Sequence, residues 1–189
     1  MFVIGLFFGW AWFAVRGSRP ILTGTVPVAG LTETVTVSRD NHGVPWIRGG
    51  SRIDVAHALG FLHAQERFFQ MDLLRRQAAG ELAALLGGPA LDWDRQARIH
   101  RFRSRAEAAM ATAPPDDRRL VDAYTAGVNA GLASLGASPF EYLILRAEPQ
   151  PWRTEDTMLA LVAMFFALHD TDNRMESDLA VMTDTLPPS

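Results

Sequence analysis

From Ser51 the chain places apolar residues at helical spacing for more than two dozen positions. Val55, Ala58, Leu59, Leu62, Phe69, Leu73 and Leu74 make one broad face. Polar and charged residues are threaded through the same run: Gln65, Glu66, Arg67, Gln70, Asp72, Arg75 and Arg76. A helix this long, with an apolar face this wide, has to lie at the centre of whatever the chain builds. Its start is marked by Ser51, a good N-cap, with Asp54 three residues on in the capping-box position. Gly80 is expected to weaken it and Gly87-Gly88-Pro89 to stop it.

Just upstream, Val35-Thr36-Val37-Ser38 alternates as a half-buried strand does. Asp40-Asn41-His42-Gly43 supplies turn chemistry, and Val44-Pro45-Trp46-Ile47 returns as a second extended piece. Together they predict a hairpin leading into the helix.

Downstream the chain continues as helix. A charged stretch runs from Leu91 to Met110 with Arg95, Arg98, Arg101, Arg103 and Arg105, and is expected to be solvated. Pro114-Pro115-Asp116-Asp117 breaks the chain and leads into a helix from Arg118 to Leu135, with Leu120, Val121, Tyr124, Val128 and Leu132 inward. Phe140 to Leu145 is a short apolar run. Thr154 is placed to cap a strongly apolar helix carrying Met158, Leu161, Val162, Phe165, Phe166 and Leu168. The fold class is therefore α+β and helix-dominated.

The chain divides into three regions: residues 1–17, residues 18–34 as a linker-like lead with weak strand character over Leu22 to Val28, and residues 35–189 as the folded region. Phe2 to Val15 is apolar throughout, yet fourteen residues at ~1.5 Å rise reach only about 21 Å, short of the ~30 Å hydrocarbon core. It is read as an atypical signal, an uncleaved membrane anchor or an anchor shortened by a misplaced start codon, against the plain alternative of a buried helix. Arg16 and Arg19 flank it.

Composition narrows the chemistry. With 189 residues, 48% of them apolar, the chain can bury a sizeable core, and a net charge of −3 gives no reason to propose nucleic acid. The absence of cysteine excludes disulfides, thiol catalysis and thiolate metal sites. There is no G-x-S-x-G, no H-E-x-x-H and no phosphate-cradling glycine loop. The charges inside the long helix are read as pairing within the core and pinning neighbouring backbone.

The ordered string Arg39-Asp40-x-x-Gly43-Val44-Pro45-x-Ile47, Asp54, His63 to Asp72, Arg75-Arg76 and Gly80-Glu81-Leu82 resembles the penicillin acylase family. The likeness continues through Tyr124-x-x-Gly127-Val128-Asn129 and Pro151-Trp152 to Met175 to Ala180. The resemblance implies the α-subunit portion of an N-terminal-nucleophile hydrolase, part of an αββα assembly incomplete without its β-subunit. In such enzymes autoproteolysis of a precursor frees a β-subunit whose first residue, usually Ser, is the nucleophile. No catalytic residue is therefore expected in this chain.

What the resemblance assigns to this chain is a share of the acyl pocket, at Phe165, Phe166, His169 and Asp170, and one calcium ligand, Glu176. For Phe165 and Phe166 plain core packing is the alternative, and for Glu176 a solvated helix end. The implied substrates are penicillin- or cephalosporin-type amides or N-acyl homoserine lactones, and the implied location is periplasmic or otherwise extracytoplasmic, with a possible membrane tether. The competing reading is an inactive truncated fragment or a membrane-tethered helical binding module.

Overall fold

The computed structural model describes residue 9, residues 12–168 and residues 174–185. The hairpin forms where the alternation puts it. β1 (Thr36–Arg39) pairs antiparallel with β2 (Pro45–Arg48), Val37 opposite Ile47. Its turn is closed by Asp40, whose Oδ1 accepts the His42 and Val44 N–H groups at 2.8 and 2.9 Å, with Gly43 at φ 80°.

α1 spans Arg52–Ala79. Ser51 caps it, its Oγ accepting the Asp54 N–H at 3.0 Å. Asp54 does more than complete a capping box. Its carboxylate accepts the Thr32 N–H at 2.8 Å and the Thr32 hydroxyl at 2.5 Å, tying the lead to the helix start. The expected helix to Gly87 is cut short, because Gly80 adopts the left-handed conformation at φ 68° and its N–H returns to the Arg76 carbonyl. That is a glycine C-cap, a full stop. α1 is also interrupted at Arg67 (φ −144°, ψ 22°), which kinks it.

A short α2 (Ala83–Leu86) and a 3₁₀ turn (Gly88–Ala90) follow. The charged stretch is two helices, α3 (Leu91–Ile99) and α4 (Phe102–Thr112), separated at Arg101 with φ 52°. α5 (Pro115–Ala133), α6 (Phe140–Leu145), α7 (Thr154–Leu168) and α8 (Arg174–Thr185) complete the described residues. Thr154 does not cap α7: its hydroxyl donates to Asp122 at 3.0 Å, and Asp156 instead accepts the Arg153 N–H at 2.8 Å.

Packing radiates from α1. α5 crosses it at close range because three glycines line the contact. A Cβ on Gly60 would strike the Tyr124 carbonyl, one on Gly127 the His57 carbonyl and one on Gly131 the Phe61 carbonyl. The central core gathers Ala64 and Phe68 with Val128, Tyr142 and Trp152, and a second cluster joins Ala78 and Ala106 to Leu159 and Ala163 of α7. Each large buried side chain contributes on the order of 1.5–3 kcal/mol.

The lead is no free linker. Residues 22–28 form no strand, and the sheet among the described residues is the β1–β2 hairpin. They are held at either side, by Ile21 N–H on the Gln65 side-chain oxygen at 3.1 Å and by Thr32 on Asp54. Residues 12–17 are helical, and among the described residues no helix is long and apolar enough to cross a membrane.

Candidate functional site

The second half of α1 carries its charges inward. Arg75 is almost fully buried and uses all three guanidinium nitrogens. It donates to Asp72 at 2.7 Å, to Asp156 at 2.5 Å and to the carbonyls of Gln150 and Pro151, each at 2.9 Å. Its cation also sits 5.0 Å from the Trp152 ring centre. Asp72 in turn accepts from Arg76 at 2.9 Å and from the Tyr142 hydroxyl at 2.6 Å.

Arg103 closes the other side. It grips Glu81 through two parallel bonds of 2.6 and 2.7 Å and donates to Asp156 at 3.0 Å. Burial alone would lower the Arg75 pKa, but the charges of Asp156 and Asp72 outweigh it and hold the guanidinium above its ordinary value. Arg103 is raised for the same reason, its bonds to Glu81 and Asp156 overcoming desolvation. Burial, followed by the bond to Asp72, drives the Tyr142 hydroxyl upward. The two guanidiniums therefore stay charged, and the Tyr142 hydroxyl stays protonated as a hydrogen-bond donor.

This frame fixes the start of α7 and the extended connector before it. Asn129 adds a second clamp, donating to the Trp152 carbonyl at 2.9 Å and accepting its N–H at 2.8 Å. The reading of α1 charges as pinning backbone holds for Arg75. The reading of residues 91–110 as solvated needs correction. Arg95 and Asp92 are a surface pair, but Asp94 is buried on the Leu82 and Ala83 N–H groups at 2.8 Å, Arg98 holds the Gly80 carbonyl at 2.7 Å, and Arg103 joins the buried frame. Charge content alone could not distinguish inward from outward arginines in a helix without an apolar stripe.

The far end of α7 is apolar and partly open. Phe166 is half-buried, its ring 5.3 Å from Phe102 and 5.6 Å from His100. Phe165 meets Phe166 edge-on at 5.8 Å and is exposed, as are Leu161, Met164 and Leu168. Of the four residues expected to line an acyl pocket, the structure brings Phe165 and Phe166 together in one aromatic cluster; His169 and Asp170 lie outside the described residues. Glu176 stands exposed in the first turn of α8, with Asp178 exposed two residues on. Among the described residues no three His or acidic side chains converge as a metal site would require.

A wider cleft of about 1120 Å³ runs between the lead, β1 and α1, with Leu31, Val35, Phe61 and Leu62 in its walls. His57 borders it, and its buried Nε2 has no hydrogen-bond partner. Burial lowers its pKa, offset in part by Asp54.

Fold and site together define a helix-dominated α+β scaffold in which a buried ion-pair frame sets the direction of an apolar helix. A profile of the penicillin amidase family matches residues 34–189. Penicillin acylase 2 proenzyme from Pseudomonas sp. (strain SE83) is 41% identical over 142 residues, covering 74% of this chain. Acyl-homoserine lactone acylase QuiP from Pseudomonas aeruginosa is 35% identical over 152 residues, covering 80%. The chain spans about a fifth of the length of these relatives, 18% of each. A thermostable penicillin G acylase from Alcaligenes faecalis matches in three dimensions with a TM-score of 0.64 and 26% identity, over 83% of this chain and 87% of that one. The chain belongs to the penicillin amidase family.

Proposed function

We propose that this chain is the α-subunit, or N-terminal portion, of an amidohydrolase that removes the acyl side chain from penicillin- or cephalosporin-type amides or from N-acyl homoserine lactones. One observation carries the reading. The match to the Alcaligenes faecalis acylase covers 87% of a single solved chain, whereas the proenzyme relative is covered over only 18%. That is the relation expected of one subunit from a processed precursor.

In this reading the nucleophile is the N-terminal Ser of a β-subunit, with its own α-amine as base. This chain contributes rigidity and a wall. The Arg75–Asp156–Arg103 frame sets α7, and the Phe165–Phe166 cluster at its end faces the acyl group; the family resemblance assigns His169 and Asp170, outside the described residues, to the same pocket. The exposed Leu161, Met164, Phe165 and Leu168 are covered by the β-subunit. Glu176 gives one ligand to a structural calcium whose other ligands come from that partner. Residues 1–17 direct the enzyme out of the cytoplasm.

The test is to express the coding sequence together with the genomic DNA immediately downstream, and to sequence the protein products from their N-termini. A Ser-led second chain that co-purifies with this one, and hydrolyses phenylacetyl, glutaryl or acyl-homoserine lactone amides, is the expected result. Hydrolysis by this chain alone, free of host acylase, overturns the assignment.

A further inference from the structure

The body keeps hold of the start of the chain. The Gly17 carbonyl accepts the Ala137 N–H at 3.2 Å, and the two residues lie so close that a Cβ on Gly17 would sit 3.0 Å from that of Ala137. Four residues on, Ile21 is bonded to Gln65, itself fixed to Ser134 at 2.9 Å. Residues 15 and 18–20 line one small pocket with residues 139–141. The described end of the apolar run, at Val15, therefore meets the body beside the first turn of α6.

What α6 presents at that place is apolar. Phe140 is 46% exposed and Ile144, one turn along the same face, 73%. Trp12 and Phe13 are exposed at 63% and 73%. Arg16 and Arg19 are exposed at the junction, and Arg146 is exposed at the end of α6. A run too short to span the hydrocarbon core is a marginal anchor by itself, and stable attachment takes a second signal. An adjoining apolar face rimmed by arginines is such a signal, because aromatic side chains settle at the headgroup level and basic ones are drawn to anionic lipid.

We propose that this face, residues 12–16 with Phe140 and Ile144, rests on the surface of a lipid bilayer and fixes how the protein stands on it. The proposal rests on residues 1–17 being retained as a tether and, within the acylase reading, on the β-subunit leaving this face uncovered.

Because the chain has no cysteine, single labels report cleanly. Ile144→Cys, Asp116→Cys and Leu168→Cys are each made in the full chain, labelled with an environment-sensitive dye, and mixed with phosphatidylglycerol-containing vesicles carrying brominated acyl chains. Asp116 lies at the opposite end of α5 from the Gly17 contact, roughly 25 Å away at 1.5 Å per residue. Leu168 reports the exposed face of α7. The expected result is co-sedimentation, with the dye at 144 quenched several-fold more than at 116 or 168. Co-sedimentation with equal quenching at 144 and 116 overturns the face while leaving the tether. Stronger quenching at 168 means lipid is binding the α7 face, and also overturns the proposal. Failure to sediment overturns tether and face together.

Discussion

Arg75 shows what a buried charge costs when its partners are removed and what it returns when they are present. Its donors are matched to two carboxylates and two carbonyls, so the desolvation penalty is offset bond by bond. Arg75→Met keeps the volume but strips Asp72 and Asp156 of one cation each. Both retain another partner, in Arg76 and Arg103, which puts the expected loss at the low end of the range for broken buried pairs, about 3 kcal/mol. For a chain of this size that is a fall of roughly 6–12 °C in melting temperature, read by circular dichroism. Arg75→Lys should fall between, because one ammonium cannot span the same four acceptors.

Asp54 gives a pH-dependent case. The Thr32 hydroxyl, then the Thr32 N–H, hold its pKa below the ordinary value of 3.8. Its contribution is therefore complete above that value and lost as pH falls below it through the folded-state pKa. Asp54→Asn should lose that contribution at neutral pH and show a shallower acid limb in denaturation profiles. Cleavage within residues 18–34 by a nonspecific protease should rise at pH 7, since the Thr32 tie is weakened.

At the scale of elements, the α1–α5 crossing sets two effects against each other. Gly127→Ala gains helix propensity, at most about 1 kcal/mol. It also drives a Cβ into the His57 carbonyl, with the His57 carbonyl carbon at 2.8 Å, and backbone on backbone has little room to yield. Overpacking of this kind costs about 1–3 kcal/mol, so the net is destabilising. Gly88→Ala is the control: nothing lies within 4 Å of its added methyl, and its melting temperature should stay close to the wild type. The motif glycine at 127 is thus a distance requirement between two helices, and Val128 and Asn129 beside it fill the core and clamp Trp152.

Elements with a local cause were legible in the sequence. The hairpin followed from alternation and Asp40-to-Gly43 turn chemistry, the start of α1 from Ser51, and α5 from Pro115. What escaped was set by contacts distant in sequence. Nothing near Arg101 announces a left-handed residue, and nothing near Arg103 announces Asp156, 53 residues away. Phe165 and Phe166 were picked out by resemblance, and the structure adds that His100 and Phe102 complete their cluster. Sequence spacing could not bring α4 to that place.

For the whole molecule, the open apolar face of α7 and the exposed carboxylate at the start of α8 belong to one question, namely what covers this end. If Glu176 shares a calcium with a β-subunit, Glu176→Gln removes one charged ligand of about six and weakens the joint. In the co-expressed precursor, less processed enzyme and a lower melting temperature are expected, partly restored by millimolar calcium. Activity per assembled molecule should stay near normal. Glu66→Gln, which removes the partner of Arg39, should not respond to calcium. A Glu176→Gln protein that matures normally and ignores both calcium and chelator would remove the metal from the proposal.

The bond between Arg75 and Asp156 also imposes an order in time. The two residues are 81 positions apart, and at about 5–20 residues per second a ribosome delivers the second roughly 4–16 s after the first. Until then the growing chain carries a helix whose inner face holds a cation with one of its two carboxylates not yet made. α1 can coil early, but it cannot settle against its neighbours until the connector at Gln150 and Pro151 has emerged. Nascent chains halted before residue 150 should remain open to protease and to chaperones, and those extended past α7 should close. The late-made connector acts as a latch on the first-made helix.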